Sequence, residues 1–600
     1  AAGGGIPESE LAELAQVSRN LLRSMVQDSQ LILTTEESSP VAVLRQDWSL
    51  ANYQPATLSP DQQAVAAELV TVVQAQEFSK SLLDGVTGSG KTEVYFAAIA
   101  AAMAEGRQSL ILLPEIALTA QWLGRFRQRF GFAPIVWHSN ISPKKRRAAW
   151  RTILTSQEGH EVVVGARSAL FLPLARLGLI VVDEEHDSSF KQDSGVPYHG
   201  RDMAIVRAQI EGIPIILASA TPSLETLYNV EQGKYRRFIL PRRHGSASMP
   251  RITLIDLLRD PPERGSFLAP SLLKAMSQTL ERGEQVALFL NRRGYAPLTL
   301  CRACGYRFQC RNCTAWLVEH RAQPTPQRQG RSSRLECHQC GASTPVPSHC
   351  PECQQPDSLI ACGPGVERLS EEVTVRYPSA RIAVMASDLL SSREVEQIFD
   401  RIQSRDIDII IGTQIIAKGH HFPYLTLVGV VDADIGLHGG DLRASERCWQ
   451  LLHQVAGRAG RADQPGEVYI QTRVPQHPVM QTLAQDRRDD FLKFELGERK
   501  YFNMPPYGRL AAVIVSAEAE ELAHSVALEL GRLAPRGEGI EVFGPAPAPY
   551  ALLRGRYRYR LLLKTRRDIV PQNLLRQWLL RIKAPAAVQI SLDIDPQSFV

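Results

Sequence analysis

The sequence predicts an α/β protein: two lobes built on parallel sheets, the second interrupted by a cysteine-rich insertion, followed by a smaller α+β module. Three observations predict it. From about residue 56 to 233, short apolar runs such as "SLILLP", "EVVVGA", "LGLIVVDEE" and "IPIILASA" alternate with helical stretches. A second set follows in "QVALFL", "RIAVMA", "IDIIIGT", "LTLVGVVDAD" and "GEVYIQT". Runs this apolar, bounded by turn residues and separated by helices, suit strands buried on both faces of a parallel sheet. Nine of the ten cysteines fall between Cys301 and Cys362, and residues 481–600 carry strand-like "LAAVIVSA", "RYRLLLK" and "VQISLDID" with helices between them.

Six hundred residues exceed what one core supports, about 250 to 300, so several domains are expected. A net charge of +5 is compatible with a polyanionic partner but is shared by many proteins without one. No window approaches the roughly 20 apolar residues of a membrane span and no signal peptide is evident, so a cytoplasmic protein is expected. The chain opens on "AAGGGIPESE" without methionine, which reads as a fragment or a processed chain.

In chain order, residues 1–49 hold two helical patterns, "ESELAELAQ" and "SRNLLRSMVQDSQLI", and an extended "LILTTEE"; this reads as a partial winged helix or as plain helical packing. Residues 50–233 form the first lobe, 234–300 and 356–480 the two parts of the second, 301–355 the insertion and 481–600 the C-terminal module.

"GVTGSGKT" fits G-x-x-x-x-G-K-[ST] between an apolar run and a helical stretch. Gly85, Gly88 and Gly90, with Thr87 and Ser89, let backbone N–H groups turn towards phosphate oxygens; Lys91 reaches the β and γ phosphates, and the Thr92 hydroxyl can ligate magnesium. "LIVVDEEH" ends a strand in carboxylates, so Asp183 is expected to hold Mg2+ and Glu184 to polarise the attacking water. "LASATPS" alone is a Ser/Thr turn, and "GRAGR" alone a basic turn whose Arg458 and Arg461 share a helix face.

The order GSGKT, DEEH, SATP and "QVAGRAGR" resembles the superfamily 2 helicases. The further stretches "LSPDQQAV", "LLPEIALTAQ", "VVGARSALFLP", "DEEHDSSFKQDSGVPYHGRD", "LFLNRRGYAP", "IIIGTQIIAKGHHFP" and "ERCWQLLHQVAGRAGRADQPGEVYIQT" resemble the PriA family of bacterial primosomal replication-restart helicases, from about residue 8 to 600. The resemblance implies two RecA-like lobes that close on ATP and move 3′ to 5′ along DNA. It implies recognition of stalled or collapsed forks, strand unwinding and primosome assembly. Gln62 is implied as adenine reader, and Gln454, Arg458 and Arg461 as groups acting on the nucleotide from the second lobe. The implied partners are forked and single-stranded DNA, the single-stranded-DNA-binding protein, other primosome proteins and, indirectly, the replicative helicase; no membrane is implied, and the place is the nucleoid. A rival reading is a non-unwinding zinc-containing ATPase that binds forks and loads the replicative helicase.

Four CxxC pairs, Cys301/Cys304, Cys310/Cys313, Cys337/Cys340 and Cys350/Cys353, supply eight thiolates, enough for two Zn2+ sites of four cysteines each. Spacing leaves their pairing open; the resemblance implies that the first and fourth pairs share one ion and the second and third the other. DNA candidates by resemblance are Arg167, Ser168, Gln414 and Lys418, with the loop containing Phe190, Lys191, Tyr198, His199 and Arg201, whose aromatic and basic residues interleave. In "LLRGRYRYR", Arg556 and Arg558 alternate with tyrosines, either as a phosphate-binding face or as an edge strand made soluble by charge. Two departures stand out: no counterpart of the family's N-terminal domain that grips a 3′ DNA end precedes "AAGGG", and "VMASDLL" keeps only Asp388 of an acidic stretch.

Overall fold

The computed structural model describes residues 19–28 and 50–598, apart from 115–119, 140, 157–159, 193–194, 244–249, 264, 291–297, 302–303, 305, 307, 309, 311–316, 321–333, 337–341, 357–358, 363–365, 386–391, 414–421, 423, 438–442 and 461–465. Beyond helix α1 (Arg19–Gln27), the winged-helix expectation lies outside the described residues.

The first lobe runs α2 (Pro60–Gln74), β1 (Lys80–Gly85), α3 (Lys91–Ala104), β2 (Gln108–Leu112), α4 (Ala120–Phe130), β3 (Ile135–Trp137), α5 (Pro143–Thr155), β4 (Val162–Gly165) and β5 (Leu177–Asp183). A short hairpin, β6 (Lys191–Gln192) and β7 (Tyr198–His199), precedes α6 (Gly200–Glu211), β8 (Ile215–Ser219), α7 (Leu224–Glu231) and β9 (Arg236–Leu240). The sheet is parallel, in the order β3-β4-β2-β5-β8-β1-β9. The boundary expected at 233 therefore falls one strand short, because β9 pairs with β1. Strand side chains such as Leu82, Leu110 and Val181 are fully buried on this sheet, which is why these runs carry no polar alternation. Lys144–Arg147 form the exposed face of α5, as a solvated basic run would.

The second lobe contains β10 (Arg251–Asp256), α8 (Pro270–Glu281) and β11 (Gln285–Leu290). The insertion follows with β12 (Leu298–Cys301), β13 (Val318–His320), β14 (Arg334–Glu336), β15 (Ser343–Pro345) and β16 (Leu359–Cys362). The lobe resumes with α9 (Val366–Arg376), β17 (Ile382–Met385), α10 (Ser392–Gln403), β18 (Ile409–Gly412), β19 (Leu425–Asp432), α11 (Ala444–Ala456) and β20 (Glu467–Thr472). Its parallel sheet has the order β10-β20-β19-β11-β18-β17. The insertion's stem is the antiparallel pair β12 and β16, so it reaches a few residues beyond each expected limit of 301–355.

Helices α12 (Pro478–Ala484) and α13 (Arg488–Tyr501) share the second lobe's core through Val479, Met480, Leu483 and Phe491. By packing they join that lobe, past the limit of 480 read from the sequence. The C-terminal module is β21 (Gly508–Ala517), α14 (Glu520–Arg532), β22 (Ile540–Leu553), β23 (Arg556–Arg566), α15 (Pro571–Leu579) and β24 (Gln589–Ile594), an antiparallel sheet ordered β22-β23-β21-β24. Among the described residues no helix is long and apolar enough to cross a membrane.

Helix α11 is tied to α13 by a stack of buried rings, Trp449 on His453 at 4.8 Å and on Phe491 at 5.2 Å. Burial pushes the His453 imidazole down to about 3, below the usual value near 6.5. The unfolded chain takes up a proton as pH falls through 6.5, whereas the folded chain does so only near 3, so stability is lost across that window on acidification. Between pH 7 and 5 this one residue is expected to cost about 2 kcal/mol. His453→Gln should therefore show a flatter fall of the urea midpoint between those pH values, followed by tryptophan fluorescence.

Candidate nucleotide cleft and its surroundings

The sheet order sets β5, β8 and β1 side by side, so the turns after their carboxyl ends, DEEH, SATP and GVTGSGKT, meet at one edge. Gly88 and Gly90 adopt φ of +83° and +78°, which a Cβ would strain, and a Cβ on Gly90 would lie 2.3 Å from Gln62 Nε2. The loop is braced from α2: Ser59 and Gln62 cap that helix reciprocally, and Gln62 Nε2 donates to Ser89 O at 2.7 Å. Gln62 is thus a support of the loop, whatever it reads in a nucleotide. Lys91 Nζ donates to Gly85 O at 2.8 Å; burial lowers its pKa, opposed by the carboxylates of Glu184, Asp183 and Asp84. Thr92 follows it in the first turn of α3. Thr87 Oγ1 and Ser89 Oγ are buried with no hydrogen-bond partner among the described residues. Buried hydroxyls without partners, positive-φ glycines and a lysine at a helix N-terminus fit a phosphate chain.

Asp183 ends β5 and accepts from Tyr95 Oη at 2.9 Å and from Glu184 N at 2.9 Å. Tyr95 Oη in turn accepts from Trp122 Nε1 at 2.8 Å. Burial beside the Glu184 carboxylate pushes the Asp183 carboxyl up to about 6. Glu184 adopts φ +49°, a left-handed conformation that costs a non-glycine residue about 1 kcal/mol or more. That turn separates the two glutamates. Glu184 keeps a third of its side chain exposed at the cleft, whereas Glu185 is wholly buried. Glu185 accepts from Arg201 Nη1 at 2.8 Å, Ser223 N at 2.7 Å and Thr226 Oγ1 at 3.0 Å.

The second lobe closes the cleft. Gln454 on α11 donates from Nε2 to Glu184 Oε2 at 3.3 Å and lies 2.9 Å from His186 Nε2. His186 Nδ1 is 2.7 Å from Ser219 Oγ, and Thr221 N donates to the same oxygen at 2.9 Å, so the SATP turn joins this network. Arg458 is half-buried just beyond α11; desolvation pushes its guanidinium down to about 10, opposed by Glu184. Its turn is clasped by Arg243, which follows β9 and donates to Gly457 O at 2.9 Å and Gly460 O at 3.1 Å. Arg461, Gln414, Lys418 and Asp388 lie outside the described residues.

Comparison with known proteins agrees with this arrangement. Residues 59–230 match the DEAD/DEAH box helicase family, 351–463 the helicase conserved C-terminal domain and 500–597 the primosomal protein N C-terminal domain. A replication restart protein PriA of Rickettsia conorii is 45% identical over 541 residues, 90% of this chain and 82% of that protein. Another, of Bacillus subtilis, is 37% identical over 611 residues, covering 99% and 73%. The chain belongs to the PriA family. It is an ATP-dependent DNA helicase of replication restart. Among solved structures, RecG bound to a three-way DNA junction aligns over 76% of this chain and 48% of its own, at 15% identity and a TM-score of 0.42.

Within this PriA-family chain the thiols of Cys301, Cys304, Cys350 and Cys353 lie within 4.8 Å of one another. Cys301 and Cys353 sulfurs are 3.6 Å apart and those of Cys304 and Cys350 3.7 Å, close to the roughly 3.8 Å set by four 2.3 Å zinc–sulfur bonds in a tetrahedron. The donor set could bind zinc and joins the first and fourth pairs. Cys310 is buried near it in sequence, while Cys313, Cys337 and Cys340 lie outside the described residues.

The expected strand-binding loop departs from its reading. Phe190 is wholly buried, and Lys191 Nζ pairs with Asp593 Oδ1 at 2.6 Å and donates to Ile594 O at 2.9 Å, so neither faces a strand here. Arg201 is held by Glu185 and Asp202. Phe190 packs in the first lobe's core, Arg201 pairs within that lobe, and Lys191 reaches across to the C-terminal module. What stays open is Tyr198, edge-on at 5.4 Å to the 61% exposed Phe171, with Ser168 exposed beside Arg167, which donates to Lys191 O. Strand β23 is flanked on both sides, which removes the edge-strand reading of its arginines. Tyr557 and Tyr559 pack on the module's core, and Arg556 donates to Ser516 O at 2.8 Å and Ala587 O at 3.1 Å. Arg558 is partly buried, which lowers its pKa.

Tyr95, His186, Arg243 and Gly457 were not singled out from the sequence. Two carried a signal: Gly457 as the small residue in a motif of arginines, and His186 as the last residue of DEEH. A Cβ there would stand 2.7 Å from Thr87 Cγ2, so Gly457→Ala should push the Arg458 turn off the phosphate loop. We expect ATP turnover to fall about tenfold or more, with the thermal midpoint nearly unchanged because φ at 457 is −60°, open to alanine.

Proposed function

We propose that the chain is a 3′ to 5′ DNA translocase that recognises stalled or collapsed forks, unwinds a strand and begins primosome assembly. The observation that carries this is the Gln454–Glu184 contact: a group from the second lobe touches the carboxylate best placed to orient water beside the phosphate loop. A cleft built from both lobes ties hydrolysis to their relative motion.

In this reading the P-loop amides of residues 85–90 and the Lys91 ammonium bind the phosphates, and Gln62 reads the adenine. Asp183 and Thr92 would hold magnesium, which when bound offsets phosphate charge. Tyr95 and the Glu184 amide orient the Asp183 carboxylate. Glu184 orients the attacking water, and Gln454 and His186 hold that carboxylate in its left-handed turn. Arg458 and Arg461 face the charge that develops on the transferred phosphoryl group. Arg167, Ser168, Tyr198, Gln414 and Lys418 would follow the strand, with Arg558 towards the duplex. The eight cysteines would hold two zinc ions, making the insertion a strand-separating surface. Single-stranded-DNA-binding protein and other primosome proteins are the partners, at the nucleoid.

Lys91→Ala is expected to abolish strand displacement on a forked substrate while fork binding persists in a gel shift; retained displacement would refute an ATP-driven mechanism. Zinc content by atomic emission should be two per chain and fall to one in Cys350→Ser. That variant should lose strand displacement and keep ATP hydrolysis stimulated by single-stranded DNA.

A further inference from the structure

The strand that carries the phosphate loop is gripped from the other lobe. Asp84, the residue before Gly85, is 1% exposed, and two arginines converge on its carboxylate. Arg237 of β9 comes from the same sheet, with Nε at 3.0 Å and Nη2 at 2.6 Å from Oδ2. Arg488, the first residue of α13, comes from 404 residues downstream, with Nη1 at 2.8 Å from Oδ1 and Nη2 at 3.0 Å from Oδ2. This second contact is the planar two-pronged fork that fixes both distance and orientation.

Charge balance alone does not require it. Arg237 already neutralises Asp84 within the lobe, and a second guanidinium, 18% exposed, adds positive charge at a site where desolvation is costly. What distinguishes Arg488 is its base. Helix α13 is stacked through Phe491 on Trp449 of α11, and α11 bears Gln454, with Arg458 just past its end. On the other side, Asp84 leads directly into Gly85, whose carbonyl receives Lys91 Nζ. The fork therefore spans the two elements that bear opposite halves of the cleft.

We propose that Arg488 is a positioning residue for ATP hydrolysis: its fork on Asp84 sets the phosphate-loop strand against α11, so that Gln454 and Arg458 meet the nucleotide at working distance. This rests on the reading of Gln454 and Arg458 given above. Nucleotide binding is governed by first-lobe groups and turnover by the alignment of both lobes, so loss of the fork acts on kcat and spares KM.

The test is steady-state ATP turnover with single-stranded DNA for Arg488→Gln, Arg488→Lys, Arg237→Gln and Arg458→Ala, with thermal midpoints measured alongside. Arg488→Gln and Arg488→Lys are expected to lower kcat about 10- to 100-fold with KM for ATP within about threefold. Arg237→Gln, which strips Asp84 of a partner inside one lobe, should keep kcat within about threefold. Wild-type kcat in either Arg488 variant, or an equal loss in Arg237→Gln, overturns the proposal; should the Gln variant not fold, the Lys variant decides. Arg458→Ala separates the two failures. Full turnover there overturns the reading of the cleft, whereas lost turnover there with wild-type turnover in Arg488→Gln overturns the positioning role alone.

Discussion

The cleft depends on a buried cluster of charges that fastens the second lobe to the first. Glu446 at the start of α11 accepts from Leu224 N at 3.0 Å, at the N-terminus of α7, where a carboxylate also meets the helix dipole. Arg443 pairs with Glu225 at 2.6 Å, and Arg499 of α13 pairs with Glu446 at 2.8 Å and Glu495 at 3.1 Å. Charges so deeply buried are tolerated only when each has its partners, so the cluster specifies one orientation of the lobes more than it adds stability. Its bonds run from α7, which follows the SATP turn, to the helix carrying Gln454. That docking holds α11 against the first lobe.

The carboxylates after β5 show how one short stretch divides its work. Asp183 is presented by the strand end, held by Tyr95 and the following amide. Glu184 is thrown outward by a left-handed turn. Glu185, with side-chain direction restored inward, becomes the buried acceptor for Arg201 and the start of α7. Chemically identical side chains one residue apart thus differ in availability because the backbone changes hand between them.

The C-terminal module is joined to the same loop. Lys191 leaves the loop after DEEH and ends among Asp593, Ile594 and Asp595 at the end of β24. A basic residue in an aromatic-rich loop reads as a contact for a nucleic acid, yet here the carboxylate that meets it comes from the far end of the chain. Arg556 also spends its donors inside the protein, on the backbone carbonyls of Ser516 and Ala587 in its own module.

These cases mark what was legible from the chain alone. The phosphate loop, the carboxylates after β5, the parallel sheets and the CxxC pairs declared themselves because each depends on neighbours in sequence: glycine at a turn, alternation or its absence in a strand, two thiols per knuckle; that the first and fourth pairs converge came from folding. The domain limits at 233 and 480 were misplaced for the opposite reason, since β9 and helices α12 and α13 belong where they pair and pack. Which glutamate faces the cleft, what Lys191 binds, and that Arg488 and Arg243 reach the cleft were decided only by folding. Those partners lie tens to hundreds of residues apart, and nothing in a side chain's type says which distant charge it will meet once water is excluded.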